Sequence, residues 1–368
     1  MSPFKPQLPY NDLPRLPPRE SMETAEVLKA ALAAGRALAE LKGMVRVLPN
    51  PAILLNNLVL LEAQASSEVE NIFTTQDQLY RAEGQGQGQE AASDPATKEV
   101  LHYRQALWHG TRALREGKKF TPELLRKLTS IIKEKDMPFR AEPGTVIATR
   151  AGHVLYTPPE GEARIRGLIA NLIHYMHDDG DGLDPLLKMA VLHYQFEAIH
   201  PFHDGNGRTG RILCILYLLH AGLLDEPVLF LSRYINDARH KALYYQRLYE
   251  VNAGRAWGPW LAFMMEAVSQ TAGQTRVKVE GIRRLLEQTL EQARAKLPKR
   301  TYSKELIEAT FSNPYCRIGV LQARGLGHRH TCARYLHDLA QAGLLTLKKK
   351  GRDKLYINQP LMRLLAAP

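Results

Sequence analysis

Residues 191–211 read VLHYQFEAIHPFHDGNGRTGR, and the interpretation of the chain starts from this stretch. Apolar side chains recur at helical spacing as far as Ile199, which predicts a helix. Pro201 ends that helix, because it has no N–H group to donate and it restricts His200 before it. Gly205-Asn206-Gly207 predicts a tight turn, after which a second apolar helix begins near Asn206.

The turn has the features of an anion-binding site. It lies at the start of a helix, where unpaired backbone N–H groups and the helix dipole favour a negative charge. Gly205 and Gly207 allow a phosphate to approach the backbone closely. Arg208 and Arg211 are three residues apart, so both side chains can reach the same anion.

Two further side chains complete the candidate chemistry. His200 can accept a proton near neutral pH. Asp204 can hold Mg²⁺, which usually binds through one or two carboxylates together with substrate phosphates. These groups predict phosphoryl or nucleotidyl transfer. A zinc site formed by His193, His200 and His203 is the alternative, but it would leave the glycines unexplained.

The segment HPFHDGNGRTGR at 200–211 resembles the signature of the Fic family at every defined position. The resemblance implies a mainly α-helical Fic-fold bundle that transfers AMP from ATP to a Ser, Thr or Tyr hydroxyl of a target protein. It implies that His200 deprotonates the acceptor and that Asp204 holds Mg²⁺. Gly205, Asn206, Gly207 and Arg208 would bind the phosphates, and Arg211 the γ-phosphate.

A second segment, SSEVEN at 66–71, resembles the inhibitory motif of the same family. Ser66 and Glu70 are four residues apart and share a helix face. The resemblance implies that Glu70 pairs with Arg211 and leaves ATP in an unreactive position. The alternative is an ordinary solvated glutamate on an amphipathic helix.

The resemblance also assigns a flap and a nucleoside pocket. Two short β-prone runs around residues 151–152 predict a hairpin, whose residues Ile147, His153 and Tyr156 would dock the target segment as an added strand. Tyr234 and Tyr245 would line the adenine pocket. The alternatives are a purely structural hairpin and tyrosines that only pack in the core.

Composition limits the protein class. The 368 residues are 45% hydrophobic, which supports full cores, and the three cysteines show no disulfide or CxxC pattern. The longest apolar run is too short to span a bilayer, and residues 1–20 are rich in proline and have no apolar core for a signal peptide. We therefore expect a soluble cytoplasmic protein that has no membrane partner.

Positive charge is concentrated at the C-terminal end. Residues 276–368 hold 19 Lys/Arg and 7 Asp/Glu, whereas the whole chain has a net charge of +11. Three predicted helices followed by a hairpin resemble a winged helix-turn-helix domain, in which His328, Arg329, His330, Arg334 and the lysines at 348–350 would face DNA. Such a domain can equally make protein contacts.

The predicted organisation has four parts. Residues 1–98 form an N-terminal helical region with the inhibitory motif, 99–272 the catalytic core, 273–299 a connecting helix and 300–368 the winged-helix domain. Residues 83–98 are low in complexity and read as a flexible connector.

Several alternatives to AMP transfer remain open. The phosphorylating branch of the family usually has lysine in place of Gly207, so this glycine favours AMP transfer. Relatives with an inhibitory glutamate can also remove AMP. The chain could instead be a DNA-binding regulator with a nucleotide-sensing domain, or a binding scaffold with a dormant site. Self-modification and a homodimer are expected from the resemblance.

Overall fold

The computed structural model describes residues 4–48, 50–83, 94–148, 152–178, 180–350 and 353–367. Within these ranges the chain is mainly helical. The N-terminal and central helices are α1 (Ala25–Arg46), α2 (Pro51–Val69), α3 (Gln76–Glu83), α4 (Pro95–Arg115), α5 (Pro122–Lys133), α6 (Glu162–His177), α7 (Pro185–Ile199), α8 (Asn206–His220), α9 (Leu231–Asn236), α10 (Ala238–Gly254) and α11 (Trp257–Lys296). A two-stranded antiparallel hairpin, β1 (Ile147–Ala148) and β2 (Val154–Tyr156), lies between α5 and α6.

Helices α7 and α8 form the centre of the bundle. Nearly every residue of both helices is buried, as expected for helices that are apolar on all sides. They pack on each other, and α8 also contacts α4 and α5. The loop 200–205 joins the two helices, so its position is fixed by the most deeply buried part of the protein.

Capping residues set the starts of the surrounding helices. The side chains of Thr24 and Thr121 accept hydrogen bonds from backbone N–H groups at the starts of α1 and α5. Pro51 and Pro122 occupy the first turns of α2 and α5, where proline removes no helical hydrogen bond.

The proline-rich segment before α1 packs on the bundle. Leu16 donates its backbone N–H to Asn171 of α6 at 2.8 Å, and Gln195 of α7 donates to the Pro14 carbonyl at 2.8 Å. Leu13 and Leu16 are buried. Residues 10–16 of this segment therefore pack on α6 and α7.

The C-terminal part contains α12 (Lys304–Ser312), β3 (Tyr315–Cys316), α13 (Ile318–Ala323), α14 (Arg329–Gln341), β4 (Thr346–Lys350), β5 (Asp353–Ile357) and α15 (Gln359–Ala366). The strands form an antiparallel sheet in the order β3-β5-β4. This arrangement contains the three predicted helices and the hairpin. It adds β3 and α15, and the turn at 351–352 lies outside the described residues.

Two predicted domain boundaries fall inside helices. The boundary at 98/99 lies within α4, and the one at 272/273 lies within α11, which is a single helix of 40 residues. The separate connecting helix expected at 273–299 is therefore the second half of α11. Of the connector expected at 83–98, residues 84–93 lie outside the described residues. Among the helices that the structure describes, none combines the length and apolarity needed to cross a membrane.

Candidate active site

The loop between α7 and α8 is held closed by its own residues. Asn206 donates its Nδ2 to the Phe202 carbonyl at 2.7 Å, and its Oδ1 accepts from the Phe202 N–H at 2.9 Å. Phe202 is fully buried and stacks on Phe139, with the ring centroids 5.2 Å apart. Phe202 therefore anchors the loop in the core, and the Asn206 side chain closes the loop, which leaves the backbone to face an anion.

The two glycines meet different requirements. Gly205 has a φ of 83°, in the left-handed region that favours glycine. Gly207 allows close approach, because a Cβ there would collide with Oε1 of Glu70 and lie 3.0 Å from Nη1 of Arg211. The Glu70 carboxylate thus lies directly over the first turn of α8, where an anion is favoured.

Arg211 is bound by the C-terminal end of α2. Its Nε donates to Ser66 Oγ at 2.8 Å, and its Nη2 donates to the Ser66 carbonyl at 2.8 Å and to Glu70 Oε1 at 2.8 Å. The Arg211 side chain is 1% exposed and the Glu70 side chain 33% exposed, so this charge-assisted contact is shielded from water on the arginine side. The structure thus brings together Ser66, Glu70 and Arg211, the three residues of the predicted inhibitory contact.

Electrostatics favour the charged form of this pair. Burial raises the pKa of Glu70, but the charge and hydrogen bond of Arg211, together with the charge of Arg208, oppose it, and the net pKa lies below its usual value. Burial lowers the pKa of Arg211, and the neighbouring Glu70 raises it, with a net increase. Glu70 is therefore an anion that lies over the first turn of α8.

His200 ends α7 with a positive φ of 48°. Arg140 fixes this end of the helix by donating Nε to the His200 carbonyl at 2.7 Å and Nη2 to the Pro159 carbonyl at 3.0 Å. Burial, followed by the charge of Arg140, lowers the pKa of His200 to about 4. The imidazole is therefore neutral at pH 7 and can accept a proton.

Four charged side chains form a continuous chain at the start of α8. Lys133 of α5 lies 2.6 Å from Asp204 Oδ2 and 3.2 Å from Glu99 Oε1. Arg208 Nη1 donates to the other oxygen of Glu99 at 2.6 Å. Arg208 thus faces Glu99 of α4, and Asp204 faces Lys133.

The donor set at Asp204 fits a single magnesium ion bound together with phosphates. Its carboxylate is 55% exposed and lies at the mouth of the loop, and Mg²⁺ usually takes one or two protein carboxylates plus substrate phosphates. Among the residues that the structure describes, no three His, Cys, Asp or Glu side chains are placed to hold a metal by themselves. The alternative zinc site is also excluded by His193, which is buried with Nε2 2.9 Å from the Tyr244 hydroxyl.

A cavity of about 450 Å³ opens beside the loop, between the hairpin, α7 and α10. Its lining is mostly apolar and includes Ile147, Leu155, Tyr245, Leu248 and Glu197. This volume lies within the range of small-molecule sites. Glu197, which lines the cavity, lies three residues before His200, so the cavity adjoins the end of α7 that leads into the loop.

One carboxyl oxygen in this cavity wall has no visible partner. Oε1 of Glu197 is buried without a hydrogen-bond partner among the described residues. Burial raises the pKa of Glu197 to about 8, against the opposing effect of Arg211. The carboxyl group is therefore mostly neutral at pH 7.

The flap and pocket residues expected from the resemblance are only partly brought together. Ile147 and Tyr156 line the cavity, but Tyr156 is buried and donates its hydroxyl to the Ala198 carbonyl at 2.7 Å. His153 is exposed just before β2. Tyr245 lines the cavity, whereas Tyr234 does not.

Tyr234, the other tyrosine expected in the adenine pocket, lies among aromatic residues of α10 and α11. Its ring stacks on His240, with the centroids 3.9 Å apart, and packs edge-on against Phe263 of α11. The short helix α9 turns this side chain toward α11 and away from the cavity. Tyr234 is therefore a packing residue.

Sequence reasoning missed four residues of the site: Glu99, Lys133, Arg140 and Glu197. Three of them lie on segments far from the 200–211 motif, and no local pattern indicates what they contact. Glu197 could have been noticed as a carboxylate on an otherwise apolar helix, because such a group has to be paired or neutral when buried.

Comparison with known proteins places most of the chain in three consecutive family models. Residues 28–112 match the Fic/DOC family N-terminal model, 119–218 match the Fic/DOC family, and 285–361 match the protein adenylyltransferase SoFic-like C-terminal domain. The chain is 31% identical over 114 residues to protein adenylyltransferase fic-1 of Caenorhabditis briggsae, which covers 31% of this chain and 21% of that protein. It is 34% identical over 84 residues to a probable protein adenylyltransferase of Aquifex aeolicus, covering 23% and 26%.

Solved structures agree on the fold. A Fic family protein from Desulfovibrio desulfuricans G20 has a TM-score of 0.57 and 18% identity, with 93% of this chain and 98% of that chain covered. Fic-1 from C. elegans gives a TM-score of 0.54 at 18% identity, covering 70% and 74%. The chain spans only about a fifth to a quarter of the two curated relatives' length. The 200–211 motif, the helical bundle around it and the three consecutive matches show that this chain belongs to the Fic/DOC family.

Proposed function

We propose that the protein transfers AMP from ATP to a hydroxyl group of a protein. The observation that carries this proposal is the combination of a neutral, half-buried imidazole, an anion-binding helix start and an adjoining apolar cavity of nucleoside size. Curated relatives named as protein adenylyltransferases support the same reaction.

Each residue of the site has a separate role in the reaction. His200 accepts the proton of the acceptor hydroxyl as its oxygen attacks the α-phosphorus. The bond from the α-phosphorus to the bridging oxygen breaks, and pyrophosphate leaves with that electron pair. The backbone N–H groups at 206–208 and the cations Arg208 and Arg211 stabilise the phosphate charge.

Asp204 is the residue that would hold Mg²⁺, which supplies charge neutralisation of the phosphates when bound. Arg208 has to exchange its contact with Glu99, at least in part, for a phosphate oxygen. The apolar cavity lined by Tyr245 and Leu248 would hold the adenine, because aromatic and aliphatic side chains suit a purine ring.

Glu70 makes the described conformation an inhibited one in this proposal. Its carboxylate lies over the helix start and pairs with Arg211, the side chain assigned to the γ-phosphate. ATP can still bind through the rest of the site, but its phosphates cannot take the reactive arrangement until Glu70 leaves.

The test compares α-labelled with γ-labelled ATP, using the wild-type chain, Glu70→Gly and His200→Ala with Mg²⁺. The proposal expects label only from the α position, more in Glu70→Gly and none in His200→Ala. ATP affinity measured by calorimetry should stay within about threefold of wild type in His200→Ala. Label from the γ position would make the protein a kinase of the same fold.

A second candidate function is DNA binding by the C-terminal part, which we interpret as a winged helix. Its α14 carries an exposed row of His328, Arg329, His330 and Arg334, which suits phosphate contacts. A duplex DNA gel shift that weakens with salt and is lost in an Arg329→Ala, Arg334→Ala double variant would support it. The lysine side chains at 349 and 350 lie outside the described residues.

The cellular setting and assembly are part of the same proposal. Cys214, Cys316 and Cys332 are buried and unpaired, which suits a reducing cytoplasm. We also propose that the chain modifies itself and forms a homodimer, which sedimentation analysis of the purified protein would test.

A further inference from the structure

The carboxylate of Asp204, which would hold the metal in the proposed function, already pairs with a lysine side chain. Lys133 Nζ lies 2.6 Å from Asp204 Oδ2, and the Gly205 N–H donates to Oδ1 at 2.6 Å. Both carboxylate oxygens are therefore in use. The Lys133 side chain is only 13% exposed, so its ammonium is held at this position and does not sample open solvent freely.

The packing of α5 explains why the lysine stays there. Thr129 and Lys133 lie one helical turn apart, and their side chains approach the position that a Cβ on Gly205 would occupy, at 3.1 and 3.5 Å. Thr129 also shares a hydrogen bond of 2.9 Å with Thr209 of α8. Helix α5 thus fixes Lys133 against the loop.

Glu99 provides a second position for the ammonium. Its Oε1 lies 3.2 Å from Lys133 Nζ, and its Oε2 accepts a hydrogen bond from Arg208. A small rotation of the lysine would free Asp204 Oδ2 and leave the ammonium paired with Glu99.

We propose that Lys133 occupies the cation position on Asp204 until the nucleotide and its divalent ion displace it toward Glu99. This inference rests on the proposed function, which assigns the metal to Asp204. Its consequence is that free Mg²⁺ binds poorly to the empty protein, because the ion must compete with a charge-assisted contact.

The experiment measures Mn²⁺ binding by electron paramagnetic resonance in the full chain without nucleotide. Lys133→Met should bind Mn²⁺ at least about tenfold more tightly than wild type, which is the low end for loss of a hydrogen bond between charged groups. Lys127→Met is the matched control, because Lys127 is an exposed lysine of the same helix and its loss removes the same charge. Lys133→Gln is measured beside it in case the methionine variant does not fold.

The outcomes separate this inference from the proposed function. Equal Mn²⁺ affinity in wild type, Lys133→Met and Lys133→Gln, or equal gains in Lys133→Met and Lys127→Met, would overturn the role of Lys133. Mn²⁺ binding with ATP that is unchanged in Asp204→Asn would instead overturn the assignment of the metal to Asp204. Neither readout needs AMP transfer to occur.

A second and independent set of contacts joins the inhibitory helix to the C-terminal part. Asn57 of α2 donates Nδ2 to the Phe311 carbonyl of α12 at 2.8 Å in a buried position. Tyr315 stacks on Tyr80 of α3, with the centroids 6.3 Å apart, and its hydroxyl contacts Asp77. Helix α2 and its continuation are therefore held by α12 and β3.

Asn57 lies on α2, the helix whose C-terminal end places Glu70 beside Arg211. We infer that the C-terminal part holds α2 in the inhibitory position, so that anything loosening this interface weakens the contact of Glu70 with Arg211. This inference also rests on the proposed function. It gives the C-terminal part a role that needs no DNA.

The test combines activity with hydrogen exchange in the full chain. Asn57→Ala and Asp77→Ala should speed amide exchange in residues 58–69 and raise self-modification, with little further gain when Glu70→Gly is present. Glu305→Ala, an exposed change on α12, is the control and should do neither. Unchanged exchange in both interface variants would overturn the inference, whereas faster exchange with no label in any variant would count only against AMP transfer.

Discussion

Replacing Glu70 by glycine should raise AMP transfer by about tenfold to a hundredfold. Arg211 makes three hydrogen bonds to the end of α2, and the one to Glu70 is the contact between opposite charges. A hydrogen bond to a charged group contributes about 1.5–3 kcal/mol, which corresponds to this range in the population of a competing state. Glycine also removes the carboxylate that covers the first turn of α8.

The assay is the initial rate of incorporation from α-labelled ATP into the chain itself. Glu68→Gly is the matched control, because Glu68 lies on the same helix end but bonds to Gln64 and Asn236. Ser66→Ala should give a smaller increase, since it removes one hydrogen bond and no charge. An equal rate for Glu70→Gly and Glu68→Gly would refute the inhibitory role of Glu70.

Three other outcomes follow from the site. Glu197→Gln should flatten the pH dependence of stability. The pKa of Glu197 is about 8 in the folded protein and lower in the unfolded chain, so the wild-type free energy of unfolding falls as pH rises from 5 to 8, by at most about 1.4 kcal/mol per pH unit from this group. Urea unfolding at several pH values measures this difference between wild type and variant. Tyr245→Ala should weaken ATP binding by about fivefold or more, because stacking of a base contributes about 1–3 kcal/mol. Tyr234→Ala, in contrast, should lower the melting temperature and leave the ATP affinity of the folded protein unchanged. Arg140→Met should lower the free energy of unfolding by about 2–4 kcal/mol, because it leaves buried carbonyl groups without donors, and should slow transfer more than it weakens ATP binding.

The backbone conformation of the loop was predictable because it depends on residues within the loop itself. A proline after a helix, two glycines and a helix start fix the backbone within a few residues, so His200, Asp204 and the glycines could be assigned by spacing. Phe202 as a core anchor followed from the same pattern. The contact of Glu70 with Arg211 spans 141 positions and was reached only through resemblance to a known motif.

The remaining contacts depend on tertiary packing. Glu99 and Lys133 meet Arg208 and Asp204 only because α4 and α5 pack on α8, and nothing in the local sequence marks them among many charged helix residues. The position of Tyr234 also depends on packing, because a short helix such as α9 can face either way and its contact with α11 sets the direction of the ring.

The boundaries of helices and strands likewise depend partly on local sequence and partly on tertiary packing. Capping side chains set the starts of α1 and α5. Helix α11, in contrast, continues through the charged region around 276 because packing on α1 stabilises it. The two-residue strand β3 has no pattern of its own and exists by pairing with β5.

The most direct test of the central claim is the intact mass of the Glu70→Gly chain after incubation with ATP and Mg²⁺. The account predicts an added mass of one adenylyl group, located by fragmentation on a hydroxyl side chain and absent when His200→Ala is combined with Glu70→Gly. An added mass of a single phosphoryl group, or an adenylyl group that persists without His200, would contradict it.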